Sequence, residues 1–124
     1  DVFWDQYTSK SLKRLINKFD TKIMDSILMT TKIKNTFGYS GNGDFVKNKK
    51  NQIERFGNNK VKVPLVYCGV QIVKRNQFDN YDSNVFSTNE IWDNNIKHKK
   101  LYTFMTNKKF NHVGTIESVI GLNK

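Results

Sequence analysis

His112-Val113-Gly114-Thr115-Ile116-Glu117 is the stretch on which the reading of the fold turns. It follows an alternating apolar and polar run, residues 101–110, and leads into a short apolar run, residues 118–122. Glycine lets the backbone turn sharply or approach a ligand closely. A threonine directly after it can open a helix, because its side-chain oxygen accepts a free N–H of the first turn. A strand that ends at such a turn and continues as a helix marks the place where open α/β sheets hold ligands, outside the carboxyl ends of their strands. The same six residues would also serve as a plain connection.

Working outward, strands and helices alternate along the chain. Residues 2–4, Val-Phe-Trp, read as the tail of a strand. Leu12, Leu15, Ile16 and Phe19 fall at spacings of 0, 3, 4 and 7, which gives one apolar helix face, and Thr8, Ser9 or Ser11 can cap that helix. Residues 25–33 are rich in Ile, Leu, Met and Thr and read as a buried strand. A loop with glycines at 38, 41 and 43 follows. Phe45-Val46 and Ile53-Glu54-Arg55-Phe56 are two short strands joined by a polar turn at Lys49-Lys50-Asn51. Pro64 opens the strongest strand, residues 65–73, with Gly69 in its middle, where something is expected to approach the backbone. Ser87 and Glu90 have capping-box spacing ahead of Ile91, Trp92 and Ile96. A last hairpin, turning near Asn107-Lys108, precedes the Gly-Thr turn. The expected class is α/β or α+β with a mixed sheet, and 124 residues make one domain at most, long enough to bury a real core. Trp92 and Phe86 are expected in that core.

The formal net charge is +10, which raises the question of nucleic acid. The charge comes from 18 Lys against 3 Arg, in a chain with 16 Asn and no Ala, a pattern of A- and T-rich codons. Lysines are spread out, with short clusters at 47–50 and 97–100, and the guanidinium forks that read guanine and phosphate are scarce. Solvated lysine faces are the expectation, with no nucleic-acid partner, and His98 belongs to that surface. There is no run of 18 apolar residues, so no membrane span is expected. No secretion signal is read in the sequence, and the one cysteine, Cys68, reads as a buried thiol; a cytoplasmic location is the expectation.

Five pieces in this order carry a resemblance: an aspartate at a strand end (Asp1), Gly38-Tyr39-Ser40-Gly41-Asn42-Gly43-Asp44-Phe45, Tyr67-Cys68-Gly69-Val70-Gln71, Phe86-Ser87-Thr88-Asn89-Glu90-Ile91-Trp92-Asp93, and Val113-Gly114-Thr115. Together they resemble the C-terminal half of bacterial sugar-1-phosphate nucleotidylyltransferases, the muramate-phosphate uridylyltransferase and mannose-phosphate guanylyltransferase-like group, over essentially all 124 residues. The resemblance implies a doubly wound, mixed-sheet fold and transfer of a nucleotidyl group from an NTP to a sugar 1-phosphate, releasing pyrophosphate on the way to a nucleotide sugar for cell-wall precursors. The family's Gly-rich triphosphate loop lies in an N-terminal half that has no match here. Residues 1–124 are therefore expected to be a single partial domain, a fragment or split-gene half, taking its NTP through a separate N-terminal half, a complementing chain or a homo-oligomer.

The site residues implied by the resemblance follow its motifs. Asp1 would hold Mg²⁺, a hard ion suited to carboxylate oxygens. His112 stands where the family has its second carboxylate; imidazole is a poor Mg²⁺ ligand, so His112 would contact a phosphate, play some role at the metal, or be structural. Thr115 would also contact substrate. Gly43 and Gly69 would let the backbone meet sugar hydroxyls, and Asp44, Asn89 and Glu90 would bind the sugar. Asp44 can equally be a turn residue and Glu90 a capping partner. The competing reading is a non-catalytic remnant or sugar-phosphate-binding module.

Overall fold

The computed structural model describes residues 6–37, 41–57, 61–79, 88–107, 110–111 and 118–122. Helix α1, Gln6–Lys18, forms on the apolar spacing read from the sequence: Leu15 and Phe19 are buried and Leu12 and Ile16 pack beside them. It begins before Thr8, so Thr8, Ser9 and Ser11 lie within the helix and none of them caps it. After Lys18 the Asp20 carboxylate accepts the Lys22 N–H at 3.0 Å, a local turn that takes the chain out of the helix.

Strand β1, Ser26–Lys32, is the centre of the molecule. It leads through a 3-10 turn, Ile33–Asn35, into the two-residue β2, Thr36–Phe37. Next come β3, Phe45–Lys47, and β4, Ile53–Arg55, an antiparallel hairpin whose turn falls where the polar residues predict it. Strand β5, Leu65–Lys74, follows Pro64 and is succeeded by the 3-10 turn Arg75–Phe78, helix α2, Thr88–Lys97, and strand β6, Leu101–Met105. Two short strands complete the order: β7, Phe110–Asn111, and β8, Ser118–Leu122. The main sheet runs β4-β3-β5-β1-β6, with β8 also on β5. It is mixed: β1 is antiparallel to β5 and parallel to β6, and β5 is parallel to β8.

Side chains alternate across β1 and so divide the core in two. Ile27 and Met29 face α1 with Leu15, Phe19, Cys68, Val70 and Ile72. Leu28 faces α2 with Phe45, Ile53, Trp92 and Leu101. One helix thus covers each face, and the mixed-sheet α/β class is observed. Polar side chains inside this core are matched. Thr103 Oγ1 donates to Leu28 O at 2.8 Å, so in its 2.6 Å contact with Thr30 Oγ1 the Thr30 hydroxyl is the donor. Asn95, also buried, receives the Ser26 hydroxyl and donates to Gln77 Oε1. Among the described residues no buried side-chain nitrogen or oxygen lacks a partner.

Three elements differ from expectation. Residues 118–122 were expected as the helix after the Gly-Thr turn and are strand β8. β3 pairs with β5 only at Leu65, which leaves the stretch from Val70 to Lys74 with ladder groups to satisfy, and Val119 and Ile120 suit a pleated partner. Nor is the last hairpin found among the described residues: β6 lies beside β1 and β7 beside β2, both parallel, so the two chain segments keep company through the turn at 33–35. Finally, the sheet curls until its ends meet. Gln52 bridges Tyr102, and the Thr103 N–H donates to Asn51 O at 2.9 Å. Among the described residues no helix is long and apolar enough to cross a membrane.

Gly43 has φ +117, and a Cβ built on it would collide with the Cβ of Pro64 at the entry to β5. Gly43→Ala should therefore cost about 2 kcal/mol through strain and displacement of Pro64, read as a lower denaturant midpoint at unchanged m-value.

Candidate functional site

Asp44 stands directly before β3, and its backbone is held on both sides: its N–H donates to Leu65 O at 2.8 Å and its carbonyl accepts from Phe56 N–H at 3.0 Å. With the backbone fixed, the carboxylate reaches across to β5, where Oδ2 accepts the Tyr67 N–H at 3.0 Å. Asp44 is half-buried. Two residues further along β5 lies Gly69, with φ +84. The ladder slips here: β1 advances two residues, from Leu28 to Thr30, while β5 moves four, from Gln71 to Tyr67. The bulge contains two extra residues, an even number, so Tyr67 and Gln71 keep to the same face on either side of it. A left-handed residue in a bulge is what glycine tolerates best.

The glycine loop and the strand glycine are thus brought to one corner. Each also has a structural reason to be glycine, and Asp44 already serves as an acceptor for the strand backbone. The charge of Asp44 is felt at Cys68, whose thiol is pushed up to about 12, first by burial and then by that carboxylate.

Asn89 and Glu90 lie in the first turn of α2 and are exposed. Asn89 Oδ1 accepts from Arg55 Nη2 at 2.9 Å, while Arg55 Nε and Nη2 reach Asp93 Oδ1 at 3.1 and 3.0 Å. The guanidinium also sits 5.4 Å from the Phe45 ring centre and 5.5 Å from that of Trp92. Arg55 therefore ties β4 to α2. An exposed ion pair contributes little, at most about 1 kcal/mol, but the cation–π contacts add to it. Asp44 is engaged with Tyr67 and Asn89 with Arg55, so these two sets of expected sugar contacts are linked through Phe45 and Arg55. The sequence reading did not single out Arg55; its rarity as one of 3 Arg was the available signal.

Trp92 is buried, as expected, and so is Cys68, while His98 is exposed, its Nδ1 2.9 Å from Asn94 O. Asp1, His112 and Thr115, with Phe86 and Ser87, lie outside the described residues. Among the described residues no group of three or more His, Cys, Asp or Glu side chains is arranged to hold a metal ion. No protein-family profile, curated protein or solved structure matches the chain.

The Cys68 thiol gives a pH prediction. Its folded-state value of about 12 lies above the ordinary cysteine value of roughly 8.5, so at intermediate pH the unfolded chain loses this proton first. Stability attributable to the protonated thiol is complete below pH ~8.5 and falls as pH rises toward 12. The alkaline drop in denaturant midpoint should be shallower in Cys68→Ala than in the wild type, and the native thiol should resist iodoacetamide until the protein unfolds.

Proposed function

We propose that this chain forms the sugar-phosphate side of a sugar-1-phosphate nucleotidylyltransferase. Support comes from the five ordered motifs and, within the fold, from one observation: the Gly-x-Gly-Asp loop and the Tyr-x-Gly-Val-Gln strand meet, through the Asp44–Tyr67 hydrogen bond, at a single corner of a mixed α/β sheet. Asp44 uses Oδ2 on the Tyr67 N–H, and its other oxygen would accept from a sugar hydroxyl. Gly43 and Gly69 would bring backbone groups to the ring, with Asn89 and Glu90 on the neighbouring helix turn. His112 and Thr115 would face the phosphate.

In the reaction, a phosphate oxygen of the sugar 1-phosphate bonds to the α-phosphorus of the NTP as the bond to pyrophosphate breaks. The cost lies in bringing anions together, so positioning and charge neutralisation make up the catalysis. Mg²⁺ would supply positive charge, with Asp1 as its carboxylate on this chain. The NTP would enter through an N-terminal half, and the compartment would be the cytoplasm, where both substrates are made.

A second reading, a sugar-phosphate-binding module without turnover, is favoured by the structural roles that Gly43, Asp44 and Gly69 already fill. Calorimetric titration with N-acetylmuramate 1-phosphate and mannose 1-phosphate, with Mg²⁺, checks both. Binding of one of them is expected, weakened about tenfold or more in Asp44→Asn when titrated below that variant's own melting transition; a hydrogen bond to a charged group is worth ~1.5–3 kcal/mol. Pyrophosphate release on adding a matching nucleotide half and NTP supports the enzyme, and binding without release supports the module. No binding of either sugar phosphate would overturn both.

A further inference from the structure

Away from the Asp44 corner, a groove of about 350 Å³ opens between the end of α1, the β3–β4 turn and β6. Lys18, Lys47 and Lys50 line it together with Asn51, Tyr102 and Phe104. Among the described residues no carboxylate lines it, and none of the three ammonium groups forms an ion pair with another described residue. The turn carrying Lys50 is fixed. Asn51 takes φ +65, its carbonyl accepts the Thr103 N–H, and Gln52 Nε2 donates to the Tyr102 hydroxyl at 3.0 Å. That bond uses the Tyr102 oxygen as an acceptor and leaves its own proton without an acceptor among the described residues. Tyr102 and Phe104, two apart on β6, share a face.

We infer that this groove binds a small aromatic diphosphate, a planar ring against the half-buried Phe104 with its phosphates among Lys18, Lys47 and Lys50 and within reach of the Tyr102 hydroxyl. Three cations with no counter-charge among the described residues of the lining fit a compact, multiply charged anion. The half-buried Phe104 ring beside them, backed by the buried Tyr102, fits a flat apolar body. The volume is that of a small-ligand site, and the walls come from three separate elements, two of which, the β3–β4 turn and β6, are tied by the Thr103–Asn51 backbone hydrogen bond. A polynucleotide would need a longer basic track than three lysines on one side of the hairpin.

The site is independent of the Asp44 corner, and the test separates them. ADP, pyrophosphate and adenosine are titrated into the protein by calorimetry. ADP should bind at least tenfold more tightly than either of the others. Lys47→Gln and Lys50→Gln should each weaken ADP threefold or more, and Phe104→Ala should bring ADP toward pyrophosphate; Phe104→Leu gives the same readout should the alanine variant unfold. Asp44→Asn should leave ADP binding unchanged. ADP binding no tighter than pyrophosphate, or indifferent to both lysine variants, would overturn the inference. So would displacement of ADP by a 12-nucleotide single-stranded RNA with steep salt dependence, which would make a strand the ligand.

Discussion

The hydrogen bond from Trp92 Nε1 to Gln71 Oε1, 2.9 Å long and buried, is the contact on which the arrangement of α2, β3, β4 and β5 depends. Gln71 is completely buried in the middle of β5, opposite Leu28 of β1 on one side and Val119 of β8 on the other. A carboxamide in that position must find a partner or cost roughly 1–3 kcal/mol. The indole N–H delivered from the helix above meets its oxygen. Meeting it sets the height and rotation of α2, and with them the edge-on contacts of Trp92 with Phe45 at 5.4 Å and Tyr67 at 5.0 Å. Phe45 then carries Asp44 beside it, and Tyr67 is the residue whose N–H Asp44 holds. The candidate sugar corner is thus positioned by a polar contact in the core, and the Arg55 clamp outside repeats the same α2-to-sheet connection at the surface.

The two candidate sites differ in how they are made. At the Asp44 corner, every group already has structural work: a glycine avoids Pro64, another turns through a bulge, and a carboxylate satisfies the backbone. In the lysine groove, the hydrogen bonds that hold the frame are made by Asn51, Gln52 and Thr103, and the charged groups are left over. Ammonium groups that hold no part of the frame among the described residues can meet a ligand without loss of fold. Both arrangements follow from the hairpin of β3 and β4, whose first strand starts just after Asp44 and whose turn carries Lys50 to the far edge of the sheet.

Much of the fold was legible because local pattern and tertiary role agree. Leu12, Leu15, Ile16 and Phe19 could be only a helix face, and residues 65–73 after Pro64 only a strand. Ser-Val-Ile-Gly-Leu at 118–122 was not legible, because so short a run suits either state and the deciding factor was an unfilled stretch of β5 more than forty residues away. Parallel pairing of β6 with β1 was hidden for the same reason: adjacent strands in sequence suggest a hairpin, and nothing local tells that β1 offers a better neighbour. The closure of the sheet rests on a single bridge between Gln52 and Tyr102, for which there is no pattern. At the site, Asp44 could be picked out by its loop, but its partner is a main-chain N–H, which nearly every residue has. The groove lysines were read as solvated surface because their spacing in sequence, 18, 47 and 50, conceals that two elements bring them together.

The central strand takes its partners late. Ser26 of β1 pairs with Leu101 of β6, 75 positions further on, and with Val73 of β5. A ribosome making this chain releases the apolar residues of β1 long before either flank exists. Closing such long loops precedes any reward in contacts, so acquisition of the native state should be slow for a chain of this size, and nascent β1 needs shielding in the interval.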